Sequence, residues 1–339
     1  MTESPAPAEP AAAPAESAGP TVPAAARAPL DVPRLRAALL RPAGAWERLD
    51  VVATSPSTNA ALAGLARDPG SWRAPAALAA EHQTAGRGRA GRGWQTPPGA
   101  ALTVSALLRP RVPAEVLGWL PLLGGLAVVR ALRAAGVPAA VKWPNDVLLP
   151  AEEPVAGYGA WRKVAGLLAE VVPGVAGQGA AGQGVAGSGG RARDGGAPAA
   201  VVLGVGLNVS QATGELPVPT ATSLALAGPA GARAAADRTG LLVAVLRELA
   251  AVVARWEADG GDPHAADGEA PSLAAQYAAA SATLGAPVRA ELAGSGRVLE
   301  GTAVRLAADG SLVVAVPDAA GPAVEHVVAA GDVHHLRRG

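Results

Sequence analysis

Apolar and polar positions change rhythm several times along the chain, and each change marks an element. "WERLDVVAT" (46–54) alternates as a half-buried strand does, and "STNAALAGLARD" (57–68) reads as a short helix with Ser57 or Thr58 as its N-cap. "AALAAEHQ" runs into a glycine- and arginine-rich loop, and "GAALTVSALLRP" (99–110) returns to a strand. "PLLGGLAVVRALRAAG" (121–136) has proline in its first turn and Gly136 just past its end, which predicts a helix. "PAAVKWPNDVLLP" predicts strand, turn and strand; "KVAGLLAEVV" (163–172) and "AAVVLGVGLNVS" (199–210) predict two more strands. "DRTGLLVAVLRELAAVVARWEAD" (237–259) is a strong amphipathic helix, and "PSLAAQYAAASATLG" carries another. After Gly285 only short alternating runs remain, with a turn at "ADGS" (308–311), so the last fifty or so residues predict a small all-β unit.

These elements divide the chain. Residues 1–28 are Ala/Pro/Glu-rich without apolar period, and order is expected to begin between 30 and 45, which gives a disordered tail over 1–44. A catalytic-sized α/β domain is expected over 45–282, with flexible insertions near 150–162 and 173–199, and a small β domain over 283–339. The tail is acidic and broken by prolines, unlike a secretory signal, and no run approaches about 18 uninterrupted apolar residues, the length of a membrane span.

Composition sharpens this picture. Of 339 residues half are hydrophobic, and 28 basic residues balance 28 acidic ones, which argues against a protein built mainly to coat nucleic acid. Cysteine is absent, so disulfides and thiolate metal sites are excluded; a reducing, cytoplasmic setting is the expectation. Only two basic residues are lysine, Lys142 and Lys163, and only three asparagines occur, Asn59, Asn145 and Asn208. In a chain that otherwise uses arginine, a retained lysine marks a place where a compact ammonium is needed. All five rare residues fall inside the short motif blocks described below.

The first block is "EHQTAGRGRAGRGWQTP" (81–97). "GRGRAG" matches a dinucleotide fingerprint letter for letter, but that motif must open a helix, and "RGWQTPPGA" forbids one. An RNA-binding RG box would extend further and sit in a low-complexity tail. What remains is an anion-binding loop: glycines turn backbone N–H groups inward, Arg87, Arg89 and Arg92 offer forked cationic donors, and Trp94 offers an apolar plate. The second block, "VKWPNDVLL" (141–149), combines Lys142, Trp143, Asn145 and Asp146 around a Pro-Asn-Asp turn; the turn accounts for the proline and Asx residues, not for the lysine or the tryptophan. "RKVAGLLAEVV" places Lys163 beside Gly166, and "GVGLNVS" (204–210) places Gly206 beside Asn208; glycine inside a strand signals close approach of something. P-loop, zincin and nucleophile-elbow motifs are missing, and His334-His335, adjacent on a strand, read as surface residues.

Taken together, "STN" (57–59), "EHQTAGRGRAGRGW" (81–94), "KWPND" (142–146), "KVAGLLAE" (163–170), "VVLGVGLNV" (201–209), "ATSL" (221–224) and "GDVHHLR" (331–337) resemble the biotin protein ligases. The resemblance implies an α+β fold: a mixed-sheet biotin/lipoate ligase-like catalytic domain followed by a small SH3-like β-barrel. It implies an enzyme that joins biotin to AMP at the expense of ATP, with Mg²⁺, and passes biotin to one lysine of a biotin carboxyl carrier protein. Carried over residue by residue, Ser57, Thr58, Asn59, Gln83, Gly86, Arg87, Gly88, Arg89, Lys163, Gly166 and Gly206 match biotin-binding positions. Arg89, Arg92, Trp94, Lys142, Asn145 and Asn208 match the ATP side, with Asn208 the one protein group offered to Mg²⁺. Lys163, Arg87 and Arg89 would stabilise the reacting anions, and Asp146 would receive the carrier lysine's proton. Residues 211–222 match the adenylate-side loop. The first 45 residues are too short for the DNA-binding domain of some relatives, so neither DNA nor a membrane is expected as partner. Two other possibilities stay open: a lipoate-type acyl-adenylate ligase, and a non-catalytic binder of biotin or nucleic acid.

Overall fold

The computed structural model describes residues 27–68, 70, 72–172, 199–266, 268, 270–292, 296–318, 321–329 and 331–335. A helix stands inside the segment 1–44 expected as a tail: α1 (Val32–Leu39), capped by Asp31, whose side chain accepts from Arg34 N. Eight residues are too few to show a helical period. Its two buried residues, Leu35 and Leu39, lie one turn apart and join the main core, which decides the matter.

Next come β1 (Arg48–Ser55), α2 (Thr58–Leu65), β2 (Ala76–Gln83), the short ribbon β3 (Gly86–Arg87) and β4 (Gly93–Trp94), β5 (Ala101–Leu108) and α3 (Leu120–Ala134). β6 (Ala140–Lys142), β7 (Asp146–Val155), β8 (Gly159–Val171) and β9 (Val201–Asn208) follow, then α4 (Gly228–Ala236), α5 (Arg238–Ala258) and α6 (Leu273–Ala280). The strands form one mixed sheet, ordered β1-β2-β5-β9-β8-β7-β6, in which β1 and β2 are parallel and the remaining pairs antiparallel. The segment 150–162, expected as a flexible insertion, is instead the end of a hairpin in which β7 and β8 pair up to Val155 and Gly159, with a break in register between Pro150 and Val155. The other expected insertion, 173–199, lies outside the described residues except for its last position.

Alternation on the central strand β9 gives the sheet two different faces. Leu203, Val205 and Leu207 point into a core shared with α3 and α5. Val202 points the other way, into a smaller core under α2 with Leu62, Trp72, Leu78 and Leu107. Gly204, beneath Asn59 of α2, and Gly206, beneath Trp94, continue that second face toward the Gly/Arg loop. The segment Ala114–Ala134 is long and apolar enough to cross a membrane by length and composition; in this fold it is a core element, its most apolar 18 residues 67% buried.

The C-terminal residues form a second sheet, β13-β12-β11-β10-β14, from β10 (Pro287–Leu292), β11 (Val298–Leu306), β12 (Leu312–Asp318), β13 (Gly321–Val328) and β14 (Gly331–His335), all antiparallel. Buried tryptophans dock it onto the first domain: Trp119 Nε1 donates to Ala308 O at 2.9 Å and Trp143 Nε1 to Gly310 O at 2.9 Å. Trp143, read from the sequence as part of the cationic block, is thus an anchor between the two units and only 2% exposed.

Candidate active site

The open part of the sheet's second face is the floor of a cavity of about 540 Å³. Its walls come from distant parts of the chain: the α2 N-terminus, the Gly/Arg loop, the β6–β7 turn, β8, β9, the 217–221 loop and β14. Lys142, Lys163, Asn59, Asn145 and Asn208 all line it. So do Ser57, Thr58, Gln83, Arg87, Gly88, Arg89, Arg92, Trp94, Asp146, Gly166 and Gly206. Gly86 does not. It pairs with Trp94 in the ribbon, and a Cβ there would stand 2.4 Å from Trp94 O, so glycine at this position permits the ribbon rather than a ligand contact.

One end of the cavity is a buried polar network. Ser57 caps α2 through Ala60 N. Gln83 Oε1 accepts from Thr58 N at 2.7 Å and from Thr58 Oγ1 at 3.0 Å. Ser105 Oγ donates to Asn59 Oδ1 at 2.6 Å, and Asn59 Nδ2 donates to Leu168 O at 3.1 Å and to Glu170 Oε2 at 2.7 Å. Asn59 therefore spends its amide on the protein and fills the space that a side chain at Gly204 would need. The other two asparagines behave alike. Asn145 Nδ2 donates to Leu167 O at 2.7 Å, and its Oδ1 accepts from Arg89 at 3.4 Å. Asn208 Nδ2 donates to Thr222 O at 2.9 Å, while its Oδ1 accepts from Gln211 Nε2 at 2.8 Å. All three reach the cavity wall as tethers that fix its loops.

The other end is charged. Lys163 reaches it because of a β-bulge: Val147 faces Ala165 while Leu148 faces Lys163, so the ladder skips a residue and Lys163 turns to the same face as Gly166. Its backbone also receives residues 220–222, since Lys163 N donates to Thr220 O and Thr222 N to Lys163 O, both at 2.8 Å. That brings the expected loop 211–222 to the site. Lys163 Nζ lies 2.6 Å from Asp146 Oδ1. Lys142 is 5% exposed, with its ammonium 5.0 Å from the Tyr158 ring centroid; burial pushes its pKa down, against the opposing pull of Asp146. Burial likewise lowers Arg89 below its ordinary value.

Over this floor lies the Gly/Arg loop. No α-helix follows it: a single 3₁₀ turn at Arg89–Gly91, with Ala90 at φ 53°, leads straight into β4, as the prolines required. Trp94 rests on the registered pair Gly166–Gly206, with its indole so near that a Cβ at Gly206 would stand 2.5 Å from Cε2. Arg92 crosses to the C-terminal unit, where Nη2 meets Asp332 Oδ1 at 2.7 Å.

The sequence reading missed Tyr158, Asp332 and His334 on this wall. Tyr158 carried a signal, being one of two tyrosines in a chain without phenylalanine. The histidines were expected at the surface; instead His334 lines the cavity and His335 packs inward, its Nε2 3.2 Å from Thr283 Oγ1 and its pKa lowered by burial to about 4. Neighbouring β14 residues diverge because strand side chains alternate.

A mixed sheet carrying a cation-lined cavity beneath a glycine-jointed loop, closed at one side by a small β unit, defines a class. Residues 52–208 match the sequence profile of the Biotin/lipoate A/B protein ligase family. The chain is 40% identical to the biotin–[acetyl-CoA-carboxylase] ligase of Mycobacterium tuberculosis over 314 residues, 91% of this chain and 97% of that one. It is 33% identical over 190 residues to the bifunctional ligase/repressor BirA of Escherichia coli, covering 56% of this chain and 49% of the relative. The fold is shared with the structure of biotin protein ligase from Aquifex aeolicus in complex with biotin and ATP: TM-score 0.58, 24% identity, 86% of this chain and 100% of that one. The chain belongs to the biotin protein ligase family.

Proposed function

We propose that the chain is an ATP-dependent biotin protein ligase, forming biotinyl-5′-AMP and then transferring biotin to a lysine of a biotin carboxyl carrier protein. The observation that carries this is the gathering of Lys142, Lys163, Arg87, Arg89 and Arg92 around one cavity whose described wall carries few carboxylates, chiefly Asp146 and Asp332. The first step must press a carboxylate against a phosphate. Two unit charges about 4 Å apart repel by about 4 kcal/mol at an effective dielectric of about 20, so preset cations are needed where a closed loop excludes water. Membership in the family and the relatives' names support the substrates.

In this scheme Gln83, Thr58 and the α2 end of the cavity receive the biotin ring. Arg87 and Arg89 close over the acyl phosphate, and Lys163 leaves Asp146 for the carboxylate and α-phosphate. A biotin carboxylate oxygen then attacks the α-phosphorus, and the bond to pyrophosphate breaks. Asn145, Asn208 and Trp94 shape the nucleotide side. In the second step the carrier amine attacks the acyl carbon, the bond to AMP breaks, and Asp146, freed of Lys163, takes the ammonium proton. Mg²⁺ is proposed only as a companion of the ATP phosphates. Asn208 Oδ1 is already taken by Gln211, and among the described residues no group of three or more His, Asp or Glu side chains could hold a metal. No step is assigned to it. A cytoplasmic setting and the absence of a DNA partner belong to the same proposal.

The test is the mass of a biotin carboxyl carrier domain incubated with the full chain and ATP, biotin, or both. One biotinyl addition that requires both supports the proposal; in a parallel arm with lipoate and ATP, lipoyl addition in place of biotinyl addition would favour the lipoate-type alternative, and no addition in any arm would refute it.

A further inference from the structure

Tyr158 has no part in the chemistry proposed for the cavity, yet its phenol stands beside the carboxylate at the centre of it. The residue occupies the tip of the β7–β8 hairpin, between Gly157 at φ 77° and Gly159 at φ 56°. The tip cannot swing freely. His335 N donates to Gly157 O at 3.1 Å, and a Cβ at Gly157 would stand 2.9 Å from His334 Nδ1, so the C-terminal unit seats a glycine there. From this fixed tip the Tyr158 hydroxyl donates to Asp146 Oδ2 at 3.2 Å, while Lys163 holds Oδ1 at 2.6 Å. The Lys142 ammonium stands over the same ring.

The geometry points to Tyr158 as a positioning residue for the transfer step, holding Asp146 by one oxygen so that the other faces the incoming carrier amine. The inference rests on the ligase function proposed for the cavity and adds a residue to it. A carboxylate held by a single partner turns easily, because its terminal torsion is broad and two-fold. When Lys163 moves to the acyl phosphate, the phenol is the donor that stays on Oδ2. Oδ1 then accepts the proton that the amine loses as its nitrogen bonds to the acyl carbon and AMP departs. A neutral donor suits this task, since it orients the carboxylate and leaves its charge in place. Burial, with the adjacent Asp146 charge, pushes the Tyr158 pKa well above the ordinary phenol value, so the hydroxyl keeps its proton. The charged and titratable groups around Asp146 are Lys142 on β6, Lys163 on β8, Arg89 and Arg92 on the Gly/Arg loop, Tyr277 on α6, and Asp332, His334 and His335 on β14.

Tyr158→Phe removes the hydroxyl and keeps the ring over Lys142. Two half-reactions are read on the full chain: biotin-dependent pyrophosphate exchange, and single-turnover transfer from preformed biotinyl-AMP to a biotin carboxyl carrier domain. We expect exchange within about twofold of wild type and transfer slowed about 3- to 10-fold. The loss should lie in the transfer rate at saturating carrier domain and leave the half-saturating carrier concentration within about twofold. In an Asp146→Asn background the same change should do nothing further. Unchanged transfer would overturn the inference; so would an equal fall in both half-reactions, which marks a structural role. A wild-type chain without biotin-dependent exchange would overturn the ligase function first, and the inference with it.

Discussion

Replacing Gly206 with alanine asks whether the Trp94 indole is a fixed part of the cavity. The added Cβ would stand 2.5 Å from Trp94 Cε2 and 2.8 Å from both Cζ2 and Nε1. Carbon contacts are optimal at about 3.5–4.0 Å, so the overlap is about 1 Å across several ring atoms. The strand cannot yield, because Gly206 is paired with Thr103 on one side and Gly166 on the other. The indole can, because it hangs from the two-stranded ribbon 86–94. Overpacking of this kind costs about 1–3 kcal/mol. Here that cost falls on the closed position of the loop, and the main core is untouched. Unfolding free energy should therefore change by less than about 1 kcal/mol, while biotin affinity should fall by about 10- to 100-fold. Titration calorimetry with biotin and thermal melting of the same samples measure the two. In a Trp94→Ala background the obstacle is gone, and Gly206→Ala should cost less than about twofold. Wild-type affinity in the single variant, or a full penalty in the Trp94→Ala background, would refute the reasoning.

Lys163→Ala and Arg89→Ala should each slow adenylate formation by about 100-fold or more, read as biotin-dependent pyrophosphate exchange; undiminished exchange in either would remove the role given to that residue. Asn59→Ala deletes the donor to Leu168 O and Glu170 and one of the two oxygens within reach of the Ser105 hydroxyl, so urea unfolding should show a loss of about 2–4 kcal/mol, and a loss under about 0.5 would contradict the tether described. His335 gives a pH signature. Its folded pKa is lowered to about 4 from an ordinary 6.5, so between those values the unfolded chain binds the proton that the folded chain refuses. Stability is then full above about pH 6.5 and declines as pH falls toward 4, by at most about 3 kcal/mol. His335→Gln should flatten that stretch of the stability curve, and an unaltered slope would show that another group causes it.

Much of the molecule was written in local pattern. The strands at 48–55, 101–108 and 201–208, the helices at 58–65, 120–134 and 238–258, and the β-only C-terminus follow from hydrophobic period and caps, which depend on near neighbours in the chain. The rarity of lysine and asparagine pointed to five residues that share one cavity. What the sequence could not say is what each of those residues touches. Asn59, Asn145 and Asn208 looked like ligand amides; the fold shows them tying strands and loops together, because their partners lie on other strands or on the facing loops. Trp143 stood in the cationic block unexplained by its turn, and a carbonyl at Gly310 claimed it. Lys163 owes its direction to a bulge that no periodicity reveals. Tyr158 and His334 enter the site, and Arg92 finds Asp332 240 positions away, because two sheets pack across a distance that local propensity does not register. Sequence by itself set the elements and the chemistry available; only the tertiary structure, by burying some polar groups on one another and leaving others facing the cavity, decided which of them remain free to meet a substrate.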